Sequence, residues 1–138
     1  MPNLIEPNLI ETVAWVQVEH GRILCTRSRG KDAFYIPGGK LEPGESELDA
    51  LLREIKEELA VDLIPATVRP FGTYRAQAHA HADGVAVVMS CYTADYQGTP
   101  SASGEIEELD WLGYADRDRV APVDQLLFDD LRAAGSLT

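Results

Sequence analysis

Residues 39–61 read GKLEPGESELDALLREIKEELAV. Pro43-Gly44 is a turn pair. Ser46 after it is a favourable N-cap, with Asp49 three residues on in an approximation to a capping box. Leu48, Leu52, Ile55 and Leu59 then recur at spacings of four, three and four. The segment is therefore expected to be an amphipathic helix with those four residues as its apolar stripe. Counting ~100° per residue from Leu48, Glu54 falls near ~240°, Glu57 near ~180° and Glu58 near ~280°. These three are i, i+3 and i+4 neighbours that repel one another, and Arg53 and Lys56 point elsewhere. Two readings follow. One is a solvated helix face; the other is a site for a hard divalent cation, which takes oxygen ligands and often substrate phosphates.

Outward from this helix, Thr12–Glu19 reads as a strand, His20-Gly21 as a turn and Arg22–Arg27 as its hairpin partner. Phe34–Pro37 is a short apolar run that stops at Gly38-Gly39. Val68–Arg75 and Val85–Tyr96 read as strands, with a loop over 76–84 that carries His79, His81 and Asp83, and Ile106–Leu112 contains a short strand near Trp111. His79 and His81 are candidate pocket or lid residues, and with Asp83 they can mimic a metal site; an exposed loop is the plainer reading. Pro122–Ala134 reads as a second helix, opened by Pro122 and stopped by Gly135. Pro-Asn-Leu-Ile-Glu occurs twice, at Pro2–Glu6 and Pro7–Glu11, too short for a repeat unit. Residues 1–10 are expected to be a flexible or peripheral extension of one domain spanning 1–138. The order of elements suggests an α/β fold with a mixed sheet between helices.

The 138 residues carry 23 Asp and Glu against 12 Lys and Arg, a net charge of −11. That balance argues against a binder of nucleic-acid polymers or anionic membranes, which needs surplus cations. No apolar stretch approaches the ~18–20 residues of a membrane span. The start, Met-Pro-Asn-Leu-Ile-Glu, lacks the features of a signal peptide. Cys25 and Cys91 are far apart with no C-x-x-C and read as reduced, buried thiols of a cytoplasmic protein. The acids cluster: Glu42, Glu45, Glu47, Asp49, Glu54, Glu57 and Glu58 in one segment, Glu105, Glu107, Glu108 and Asp110 in another.

Residues 39–61 resemble the Nudix box, G-x5-E-x7-R-E-U-x-E-E-x-G-U with U apolar. Gly39, Glu45, Arg53, Glu54, Ile55, Glu57, Glu58 and Val61 match it; Ala60 stands where the family has Gly. A helix end favours Gly for the turn it makes, so a small geometric adjustment with intact chemistry is expected there. Ile36-Pro-Gly-Gly-Lys40 before the box and Glu105–Trp111 after it are similar to other family landmarks. The resemblance implies a Nudix-type α/β/α sandwich with a central mixed β-sheet, and a Mg2+- or Mn2+-dependent hydrolase of nucleoside diphosphates linked to another moiety. It implies Glu54, Glu57 and Glu58 as metal ligands, with Glu54 or Glu105 as general base and Glu108 as the second candidate. Glu105 and the Gly39 carbonyl would complete the metal set, and Glu45 and Arg53 would brace the box.

Arg27 and Lys40 are the expected phosphate contacts, with Arg29 and Lys31 in the intervening loop. Phe34, Tyr35 and Trp15 are candidate nucleobase stackers, although aromatic residues on strands usually belong to the core. The expected substrate is a small nucleotide, a (d)NTP or modified (d)NTP cleaved to NMP and pyrophosphate, handled by a monomer or homodimer. The alternatives are ADP-ribose, nucleotide-sugar or coenzyme A pyrophosphatases and a non-catalytic nucleotide sensor. Leu24-x-Thr26-Arg27-Ser28 resembles the start of the coenzyme A motif, but Ser28 to Pro37 is too short for its full pattern. A sensor would be expected to lose box carboxylates that this chain keeps.

Overall fold

The computed structural model describes residues 9–78, 81 and 84–138. Its elements are β1 (Leu9–Trp15), β2 (Val18–Glu19), β3 (Arg22–Ser28), β4 (Gly38–Lys40), α1 (Glu47–Leu59), β5 (Asp62–Leu63), β6 (Arg69–Gln77), β7 (Ala86–Thr93), β8 (Tyr96–Gln97), β9 (Ile106–Leu112) and α2 (Pro122–Ala133). A mixed four-stranded sheet runs β4-β1-β7-β6, with β1 and β7 parallel and the other pairs antiparallel. A second sheet runs β2-β3-β9, and β5 pairs with β8.

Successive side chains on a strand point to opposite faces, and this divides the core in two. Val13 and Trp15 of β1 pack with Ala50, Leu51, Ile55 and Leu59 of α1. Ala14 and Val16 join Val123, Leu127, Phe128 and Leu131 of α2. The result is the α/β/α sandwich expected from the sequence. Four consecutive buried residues, Val13 to Val16, mark a strand covered on both faces rather than a half-exposed one.

Three sequence expectations are corrected. Thr12–Glu19 is two strands: the chain leaves the first sheet after Trp15 and enters the second at Val18. Leu9 and Ile10 belong to β1, in register with Ala86 and Val87 of β7, rather than to a peripheral extension. The rest of the duplicated segment, 1–8, and the loop residues His79 and Asp83 lie outside the described residues. The third correction concerns α1. Leu48 is 40 % exposed, and the buried residues are Ala50, Leu51, Ile55 and Leu59. The buried arc is thus turned away from Leu48 and towards the side of Glu54 and Glu58.

The ends of α1 follow the sequence closely. Ser46 Oγ accepts the Asp49 N–H at 3.1 Å, which satisfies one orphan donor of the first turn. Ala60 takes the left-handed conformation (φ 59°, ψ 29°) and its N–H reaches the Lys56 carbonyl. The helix stop that the family gives to Gly is here made by a residue that finds it strained. The Ser101 and Ser103 N–H groups donate to the Leu59 and Glu58 carbonyls at 3.0 Å each. The loop before β9 is thereby fastened to the end of α1.

Candidate active site

The turn of α1 puts Glu58 on a half-buried flank beside β4. There its Oε1 accepts the Gly38 N–H at 3.1 Å. Burial pushes its carboxyl up to about 8. The Gly38 N–H opposes that rise, and the charges of Glu54, Glu57 and Glu105 add to it. Glu54 is also raised, first by burial; Arg53 opposes the rise and Glu57 supports it. A Cβ on Gly39 would stand 1.8 Å from Glu54 Oε2, so a bare backbone is required where this carboxylate meets β4. Gly38 (φ 152°) is equally constrained, because a Cβ there would lie 1.9 Å from the Val13 carbonyl oxygen.

Arg53 and Glu45 form the brace expected of them. Arg53 Nε and Nη2 donate to the two Glu45 oxygens at 2.7 and 2.8 Å, and Nη2 also reaches the Lys40 carbonyl at 3.3 Å. The bidentate guanidinium holds the Glu45 carboxyl down at about 2. Arg53 Nη1 donates to Glu57 Oε1 at 3.0 Å and lies 3.7 Å from Glu54 Oε1. One cation thus orients the loop, the helix and two of the three box carboxylates.

Glu105 is exposed at the end of the fastened loop. Its charge is felt by Glu58, so it faces the same acidic site. Arg29 grips this loop: its N–H donates to the Glu105 carbonyl at 2.9 Å and its Nη2 to the Gly104 carbonyl at 2.8 Å. Glu108 stands instead on β9 opposite Arg27 in the β3–β9 register. Arg27 donates to Glu108 at 3.2 Å and to Glu107 at 3.1 Å. The expected phosphate contact therefore has its guanidinium engaged by two carboxylates.

A cavity of about 310 Å³ begins at this acidic site. Gly38, Gly39 and Glu58 form part of its wall, Lys31 and Lys40 another part, and Tyr35, Val87, Met89 and Asp124 a third. Of the three aromatic candidates, Tyr35 alone lines it. Trp15 is fully buried on the α1 side, where its Nε1–H donates to the Ala94 carbonyl at 3.2 Å and its ring meets Tyr96 edge-on. Phe34 is in the α2-side core beneath the Arg119 guanidinium. The stacking expected of both is corrected by their burial.

Asp124 was not singled out from the sequence. It is the third residue of α2, 1 % exposed, and its Oδ2 has no hydrogen-bond partner among the described residues. Burial pushes its carboxyl up to about 8, against the opposing Ile36 N–H. The signal was available: Asp124 heads the series Leu127, Phe128 and Leu131 at +3, +4 and +7, the spacing of an apolar face.

Among the described residues no three His, Cys, Asp or Glu side chains already form a closed metal cage. The donor set nevertheless suits a hard cation. Mg2+ takes few carboxylates and completes its shell with water and substrate phosphates, and Glu54 and Glu58 are carboxylates whose neighbours and burial disfavour bare negative charge.

Comparison with known proteins bears on the family and the fold. The NUDIX domain model matches residues 7–131. The CTP pyrophosphohydrolase of Escherichia coli is 32 % identical over 108 residues, 75 % of either chain. The RNA pyrophosphohydrolase of Halorhodospira halophila is 44 % identical over 57 residues, which is 41 % of this chain and 30 % of that protein. This chain thus spans under a third of that relative's length. The solution structure of the E. coli ORF135 protein superposes with a TM-score of 0.71 at 30 % identity, covering 91 % of this chain and 92 % of the other. The MutT NUDIX hydrolase of Burkholderia pseudomallei shares the fold, with a TM-score of 0.71 at 22 % identity over 88 % and 96 % of the two chains.

Proposed function

The chain belongs to the NUDIX domain family, and on that premise we propose that it is a divalent-metal-dependent pyrophosphohydrolase of nucleoside triphosphates, releasing NMP and pyrophosphate. The observation that carries this reading is that one cavity is bordered by Glu58 of the acidic site, by Lys31 and Lys40, and by the apolar walls of Val87 and Met89. Such a space suits a ligand with an anionic end and a planar apolar body. Glu54, Glu57, Glu58 and Glu105 would hold the metal. When bound, it would neutralise phosphate charge and lower the pKa of the attacking water. Glu54 or Glu105 would take that water's proton. Lys31 and Lys40 would bind phosphate oxygens, while Arg53 and Glu45 would keep the carboxylates oriented.

The relative acting on CTP, matched over three quarters of both chains, favours a cytidine nucleotide within the class. The test is pyrophosphate release from a panel of nucleotides with Mg2+, with the Glu57→Gln variant alongside. Metal-dependent release by the wild type, lost in the variant, is expected. Absence of turnover on the whole panel would leave the nucleotide-sensor reading.

A further inference from the structure

Whether Glu105 holds the metal or takes the water's proton, its carboxylate has to stand at a fixed place. Its own side chain does not supply that fixity. Glu105 is exposed, and among the described residues no hydrogen bond or ion pair holds its carboxylate. The fixity comes from the backbone of the loop before β9. The Ser101 and Ser103 N–H groups fasten one side of it to the end of α1, and the Ile106 N–H closes a turn on the Ser103 carbonyl at 3.0 Å. Gly104 takes the left-handed conformation (φ 59°), and a Cβ there would stand 3.0 Å from the Glu57 carbonyl oxygen. The loop therefore lies directly against the last turn of α1. Arg29 takes its other side: the backbone N–H donates to the Glu105 carbonyl at 2.9 Å, and Nη2 donates to the Gly104 carbonyl at 2.8 Å. These two carbonyls belong to the planar peptide units on either side of the Glu105 Cα. Holding both sets the direction in which the Glu105 side chain leaves the backbone.

Arg29 itself stands on a braced turn. The Lys31 N–H donates to the Ser28 carbonyl at 3.1 Å, and Arg27 Nη1 donates to the Lys31 carbonyl at 3.3 Å. Arg27 is held in turn by Glu107 and Glu108. Neighbours on a regular strand point to opposite faces. Here the β3–β9 register shifts between Arg27 and Ser28, which leaves Glu107 as an extra residue, and such a bulge re-aims side chains. Both carboxylates thereby reach one guanidinium. We propose that Arg29 is a positioning residue of the reaction: by holding the peptides on both sides of Glu105, it keeps that carboxylate facing the box carboxylates of α1. Arg29 does not line the cavity, whereas Lys31, two residues on, does. One turn thus presents Lys31 to the cavity directly and sets Glu105 at the acidic site through Arg29. The inference rests on the hydrolase reading above, in which Glu105 has a part. Truncating Arg29 to alanine keeps the backbone N–H bond and loses the grip on Gly104. Misplacing a reacting group by about 1 Å can cost about 100-fold; with half of the grip kept, a loss of about 10-fold is expected.

The test measures pyrophosphate release from the nucleotide panel with Mg2+, and Mn2+ affinity by EPR titration. The proteins are the wild type, Arg29→Ala, Arg29→Lys, Glu105→Gln and the Arg29→Ala/Glu105→Gln double variant. Glu105→Gln should lower kcat or Mn2+ affinity, and Arg29→Ala should lower the same quantity about 10-fold with KM unchanged. Lysine still reaches the Gly104 carbonyl and should recover most of the loss. In the double variant, truncating Arg29 should cost nothing beyond Glu105→Gln, because no carboxylate is left to place. A loop staple with no part in the reaction would lower Tm equally in both backgrounds and leave kcat and Mn2+ affinity alone, which overturns the proposal. Losses that multiply in the double variant overturn it too, as does a Glu105→Gln variant equal to the wild type in both measurements. The titration separates the two readings. Mn2+ affinity that depends on Arg29 through Glu105, in a protein without turnover, would sink hydrolysis and keep the positioning. Turnover and Mn2+ affinity that both ignore residue 29 would do the reverse.

Discussion

Replacing Asp124 with Asn should change how stability depends on pH. The folded carboxyl is held at about 8, against about 3.8 for an ordinary Asp. Between those values the folded state keeps a proton that the unfolded chain has released. A group with a raised folded pKa of this acidic kind makes stability fall as pH rises, by about 1.4 kcal/mol per pH unit. The window opens near pH 4 and closes near pH 8. From pH 5 to pH 7 the wild type should therefore lose about 2.7 kcal/mol through this residue, and Asp124→Asn should lose none of it. Glu58, pushed up to the same range, contributes a slope of equal sign to both proteins and cancels in their difference. Urea unfolding at pH 5, 6, 7 and 8 measures that difference. With a slope of about 1–3 kcal/mol per molar, the gap between the two midpoints should move by about 1–2.5 M in favour of asparagine from pH 5 to pH 7. Parallel pH profiles would refute the reasoning, because they would mean that Asp124 is ionised in the fold and finds a partner there.

Ala60→Gly relieves a left-handed residue at the end of α1 and should stabilise by about 0.5–1 kcal/mol after the added unfolded-state entropy is subtracted; a rise of a few degrees in Tm, with kcat unchanged, checks it. Glu45→Gln breaks the bidentate hold on Arg53 and should weaken Mn2+ affinity about 10-fold or more, measured by titration of the metal's EPR signal, with circular dichroism unchanged. Trp15→Phe leaves the buried Ala94 carbonyl without its indole donor and should cost about 1–3 kcal/mol in chemical denaturation. The KM for nucleotide should stay the same, which a stacking role for Trp15 would not allow.

What was legible in the sequence was what short-range rules control. The Ser46 cap, the His20-Gly21 turn (φ 53° and 77°) and the i, i+3, i+4 carboxylates of α1 depend on residues a few positions apart, and each stands where it was expected. The azimuth of α1 was not legible. Leu48, Leu51 and Leu52 offer overlapping apolar arcs, and the choice between them is made by Val13 and Trp15 on a strand more than thirty residues away. Arg27 looked free because its partners are set by the β3–β9 register, which brings Glu108 opposite it from the far end of the chain. Trp15 and Phe34 looked like stackers because an aromatic side chain carries no mark of which face it will turn to.

The net charge shows the same division, and its resolution bears on function. The formal count of −11 treats every acid alike. In the fold, burial pushes the carboxyls of Glu58 and Asp124 up to about 8, which disfavours negative charge on both. They also line the same cavity, in company with Lys31 and Lys40. This cavity is therefore less negative than the chain's composition, and the excess acid lies on exposed surface such as Glu42, Glu47 and Asp49.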